Sequence, residues 1–87
     1  MPAFNPKLEA LLGKVYEPGK RYDHKFSGKD IIYITNEYGE PVTLFIGKRR
    51  EDGSIAGERY VRRITRKPNS NEVLKSHWEL KGKVSRA

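Results

Sequence analysis

Apolar residues along this chain fall into short segments: one at helical spacing, then continuous runs and period-two alternations of β character. Near the N-terminus Leu8, Leu11 and Leu12 recur at spacings of three and four, on one face of a short helix over residues 5–12. Asn5 is placed to cap it, Pro6 suits the first helical position, and Gly13 is expected to end it in a left-handed conformation. So short a helix does not persist alone in water, so its leucine face must dock on a sheet or a barrel end. Gly13-Lys14-Val15-Tyr16-Glu17 reads as a short strand stopped by the Pro18-Gly19 turn. Residues 20–29 alternate poorly and predict an ordered loop or irregular edge strand, pinned to the core by Tyr22 and Phe26.

From Asp30 to Asn36 the strand signal is strong. Ile31-Ile32-Tyr33-Ile34 is a run of β-branched and aromatic residues that suits a strand covered on both faces. A turn over residues 36–41 leads to a second buried strand, Val42 to Lys48, and the two should form an antiparallel hairpin. Asp52-Gly53 marks a further hairpin into a long strand, Ile55 to Lys67, with Gly57 expected at a bulge. Pro68-Asn69-Ser70-Asn71 is the next turn.

Residues 72–84 admit two readings. As a strand they alternate, with Leu74, Ser76, Trp78, Leu80, Gly82 and Val84 facing in and Val73, Lys75, His77, Glu79, Lys81 and Lys83 facing out. As a helix they would start at a capping-box-like Asn69…Glu72 and stop at Gly82. The helix strands Leu80 off its main face, so the strand is preferred. The sum is one mainly β domain over residues 1–87: a short N-terminal helix, then a small antiparallel five-stranded barrel or sandwich over 14–84. A partly open SH3-like or OB-like barrel is the expected form.

Composition narrows the chemistry. With no cysteine, disulfides and cysteine-ligated metal sites are excluded. The start, Met1-Pro2-Ala3-Phe4-Asn5-Pro6, has no basic stretch followed by an apolar run, and the longest apolar runs fall far short of the about 20 residues a bilayer takes. No membrane association and a cytoplasmic location are expected.

The net charge of +7 is unevenly placed. Residues 1–40 hold six basic and six acidic side chains, whereas residues 41–87 hold twelve basic against five acidic. Such asymmetry points to a polyanionic partner. The strand Arg59-Tyr60-Val61-Arg62-Arg63-Ile64-Thr65-Arg66-Lys67 concentrates it. Alternation puts Tyr60, Arg62, Ile64 and Arg66 on one face and Arg59, Val61, Arg63, Thr65 and Lys67 on the other. Guanidiniums two residues apart stand about 7 Å apart, which suits successive phosphates. Lys48, Arg49 and Arg50 at the hairpin tip extend the set, and Tyr60 and Trp78 would offer rings for unpaired bases. The same arginines could instead protect a strand edge or pair with Glu58, Glu72 or Glu79.

Asp23-His24 and His77 invite an acid–base reading, but no nucleophile motif, phosphate-cradling glycine loop or metal-ligand spacing accompanies them. No catalytic residues, metal or cofactor are assigned, and the chain is not expected to be an enzyme. The expectation is a binding module for RNA or single-stranded DNA. The alternative is a protein-interaction or structural module that docks on an acidic protein partner or self-associates as a homo-oligomer.

Overall fold

The computed structural model describes residues 4–70 and 72–84; Asn71 of the expected turn and Arg86 of the basic set lie outside them. One helix, α1 (Pro6–Leu12), precedes five strands: β1 (Arg21–Phe26), β2 (Lys29–Thr35), β3 (Pro41–Arg49), β4 (Ile55–Arg66) and β5 (Val73–Val84). The strands form a single antiparallel sheet in chain order, open at both ends, with β1 and β5 as its edges. The mainly β class, the strand number, the antiparallel pairing and the N-terminal helix are as the sequence predicts. Residues 73–84 are a strand. No described helix is long and apolar enough to cross a membrane.

Helix α1 begins as expected: the Asn5 side chain accepts from the Lys7 amide at 2.8 Å, and Pro6 opens the first turn. Gly13 ends it without the left-handed turn, at φ −84°, its amide bonded to the Glu9 carbonyl. No basic residue stands in the last helical turn. Arg62 reaches over from β4 to the Leu12 carbonyl (3.4 Å) and the Pro41 carbonyl (3.3 Å), a tertiary substitute for a C-terminal cation. Leu8 and Leu12 are buried against Ile31, Tyr33, Leu44, Tyr60 and Trp78. Phe4 meets the rings of Tyr60 and Trp78 edge-on at 5.1 and 6.0 Å.

Residues 13–17 are not a strand. Their one ladder-like contact is the Tyr16 amide on the Gly39 carbonyl, at 2.7 Å. The buried Thr35 hydroxyl holds the following turn, donating to the Glu17 carbonyl and accepting from the Lys20 amide. Residues 21–26 form a regular edge strand, with Tyr22 and Phe26 on the core as predicted.

Gly57 is not at a bulge. It lies directly opposite Gly47, and a Cβ on either would fall about 2 Å from a backbone oxygen of the facing strand. The strands approach too closely there for any side chain. The register shifts of the β4–β5 pair lie elsewhere, at Lys81 (beside Gly82 at φ +120°) and at Leu74. The bulge at Leu74 takes that side chain, expected to face in, out of the alternation, and it is exposed. Leu80 stays in register opposite Tyr60, on the side of the buried Trp78 as expected, but near the open edge it is half exposed.

A candidate nucleic-acid interface

The ten residues proposed from sequence divide by face. On β4 the period-two split holds, and the side bearing Tyr60 is the one under α1. Tyr60 and Trp78 are each only 9 % exposed. Their rings belong to the core and offer no face to a base, which corrects their assignment as stacking residues. Burial, then the neighbouring Glu58 carboxylate, raises the pKa of the Tyr60 hydroxyl, which donates to Glu58 at 3.3 Å.

Arg62 and Arg66 are on this side too. Arg62 donates to the Leu12 and Pro41 carbonyls and to the Ser76 hydroxyl. Burial lowers its pKa, the Glu40 charge opposes that, and Arg66 adds to it. Arg66 pairs with Glu40 and lies over the Tyr38 ring, 4.1 Å from its centroid. Burial alone would raise the Glu40 carboxyl, yet hydrogen bonds from Asn36 and Arg66 outweigh it and hold the group below its ordinary range. Both arginines are thus committed to the fold.

Arg59, Arg63, Thr65 and Lys67 are exposed. Half-buried Phe45 and Val61 lie among them, Phe45 directly across from Arg59. Arg63 meets Glu79 at 3.2 Å, and Glu79 also holds Lys81 and His77. At the hairpin tip, Arg49 pairs with Asp23 at 3.4 Å and its amide donates to Asp30; Arg50 closes the turn through its amide on the Ser54 carbonyl.

Asp23 and His24 line a shallow depression with Lys25, Asp30 and Arg49. The Asp23 carboxylate faces Arg49 and Arg21, and the His24 ring stacks on Tyr33 at 5.4 Å. Among the described residues, no three His, Cys, Asp or Glu side chains are grouped to hold a metal ion.

One concavity was not visible in sequence. A groove of about 930 Å³ crosses the sheet, lined by residues of every strand: Lys25, Lys29, Lys48 and Lys83 with small residues Gly28, Gly47, Ala56 and Gly57 among them. It follows one cross-strand row, Lys25–Asp30–Gly47–Gly57–Val84. All four lysines are exposed. The two carboxylates in the lining are engaged within the chain, Asp30 by the Arg49 amide and Glu58 by the Tyr60 hydroxyl. Of the ten proposed residues only Lys48 lines this groove. Lys25 and Lys29 flank the Ser27-Gly28 turn in the charge-balanced half of the chain, so only the register could have joined them to Lys48 and Lys83. Compared with known families, curated proteins and solved structures, the chain matches none.

Proposed function

We infer that this protein is a small nucleic-acid-binding module that takes a single strand of RNA or DNA through its backbone. The observation that supports this best is the cross-sheet groove, whose lining combines four exposed lysines with the closely facing Gly47 and Gly57. A phosphodiester chain needs spaced cations and room for the backbone to lie close, and contributes no sequence information to such contacts. Lys25, Lys29, Lys48 and Lys83 contact phosphates in this reading. Arg59 and Arg63 extend the basic surface, with Phe45 the nearest ring for an unstacked base.

The test is fluorescence anisotropy with mixed-sequence RNA and single-stranded DNA across a salt series. Affinity should fall steeply with salt, and each lysine changed to Gln should flatten the log–log slope by about 0.7. Arg62→Gln should leave that slope unchanged. Binding at ~100 mM salt no better than that of an unrelated protein of equal charge would sink the reading.

A further inference from the structure

The last strand carries three of the five large apolar side chains exposed among the described residues: Val73 at 39 %, Leu74 at 55 % and Leu80 at 50 %. It is also an outer strand, laddered to β4 on one side and open on the other. A long open edge with apolar side chains is a template for another strand unless something blunts it. Here the bulges at Leu74 and Lys81 shorten the regular part to Lys75–Leu80 without closing it.

The residues along this edge are complementary about His77. Ser76 and Trp78 stand one position to either side, Lys75 and Glu79 two, Leu74 and Leu80 three. An antiparallel pair centred on His77 puts each Lys75 opposite Glu79 and each Ser76 opposite Trp78 of the other copy, and brings Leu80 to the end of the regular stretch beside the bulged Leu74. The alternatives are poorer. A shift by one residue sets opposite faces of the two strands against each other. A shift by two either places Lys81 against Lys75 or leaves Leu80 against Glu72. The small Ser76 leaves room for the indole, which stays in its own core.

We propose that two copies of this chain associate through β5, antiparallel and two-fold symmetric about His77. The interface is isologous and extends the sheet continuously from one copy into the other. The new backbone ladder over Lys75–Glu79 and burial of the exposed Leu80 at each end supply the affinity. Glu79 is the only acid on β5 and already gathers Arg63, His77 and Lys81. An added Lys75 from the second copy therefore chiefly selects the register. This association does not depend on the nucleic-acid reading, since none of the groove lysines lies within Lys75–Leu80.

The chain has no cysteine, so single introduced thiols report register cleanly. In the full chain, His77→Cys should cross-link rapidly under mild oxidation, because directly opposed Cβ atoms lie about 4.5–5.5 Å apart. Lys75→Cys alone should not, its copies being offset by four residues or roughly 13 Å. A mixture of Lys75→Cys with Glu79→Cys should cross-link. Sedimentation equilibrium of the unaltered chain should approach twice the 10.1 kDa monomer mass. Leu80→Lys, at an exposed position, should weaken association at least roughly tenfold with its circular dichroism unchanged. A chain that stays monomeric at about 1 mM, or that cross-links from position 75 as fast as from 77, would overturn the proposal.

Discussion

Arg63 and Arg66 leave the same strand three residues apart, in the same chemical form, and do opposite work. Arg66 turns toward the helix side, where it is 20 % exposed, pairs with the 14 % exposed Glu40, and covers Tyr38. Arg63 turns outward, 67 % exposed, and meets Glu79 in solvent. The strand's alternation alone separates them. An inward guanidinium has lost its water and must recover every hydrogen bond from the protein. An outward one keeps its hydration and can exchange its partner for a ligand at little cost. A row of arginines is therefore two populations, and only one is available for binding.

The sharpest way to break this contrast is at the neighbouring pair Trp78 and His77. Trp78→Ala removes a buried ring that packs against Phe4 and the α1 leucines. It should cost about 3–5 kcal/mol, enough to unfold much of a domain this small. His77→Ala, one residue away on the opposite face, should move the urea midpoint little. If Trp78→Ala left the midpoint unchanged, the indole would not be the core residue described here.

Next in size is the arginine comparison itself. Arg66→Ala leaves the half-desolvated Glu40 with the Asn36 hydrogen bond and the Arg62 charge but without its ion pair, and should cost about 2–3 kcal/mol. Arg63→Ala should stay within about 0.5 kcal/mol. Equal losses, read by chemical denaturation, would show that the two faces are not distinct.

This division was only partly legible in the sequence. Period two on β4 was clear, and so was the helix cap at Asn5 and Pro6, because both are local. Which face would be covered was not local: it depends on where α1 docks and on Glu40 lying across from Arg66. The β5 bulge at Leu74 has no turn residue to announce it, so Leu74 read as core; Leu80 read as core because its side is inward, and its exposure depends on how far α1 and Phe4 reach toward the sheet edge. The Gly47–Gly57 pair was half visible, as a glycine within a strand, but that the two meet is a fact of register. The lysine groove depends on the same register, and it joins residues from both halves of a chain whose charge only one half displayed.

Acid offers a finer test of the two faces. Hydrogen bonds from Lys81 and then His77 hold the Glu79 carboxyl down to about 2, and Glu40 also lies below its ordinary 4.5. Both carboxyls are thus more acidic folded than unfolded, so their stabilisation is complete above about pH 4.5 and is lost as pH falls through the folded values. The urea midpoint should drop from pH 4.5 toward pH 2. Glu40→Gln and Glu79→Gln should each flatten that drop. At ~0.5 M salt the Glu79 share should fade while the Glu40 share persists, because only the exposed cluster is screened. An equal response to salt at both positions would contradict the assignment of faces.

The smallest expected effect concerns a polar atom on the covered side that has found no answer. Arg62 and Arg66 reached carbonyls and a carboxylate, but the Tyr33 hydroxyl is buried with no hydrogen-bond partner among the described residues. Its ring is fully enclosed, against Tyr16 at 5.2 Å, Tyr22 at 5.4 Å and His24 at 5.4 Å. Burial, then the nearby Tyr16 hydroxyl, raises the phenol pKa above its ordinary value, so the group is neutral at any working pH. That Tyr16 hydroxyl already donates to the Leu11 carbonyl, and the pair does not reach hydrogen-bond geometry. An unanswered hydroxyl contributes desolvation cost without a compensating bond, about 1–3 kcal/mol. Tyr33→Phe keeps the ring and its three neighbours while deleting only that oxygen. It should leave the fold intact and raise stability by about 1 kcal/mol, seen as a higher urea midpoint at unchanged slope. A loss of similar size would mean that the oxygen has a partner in solution.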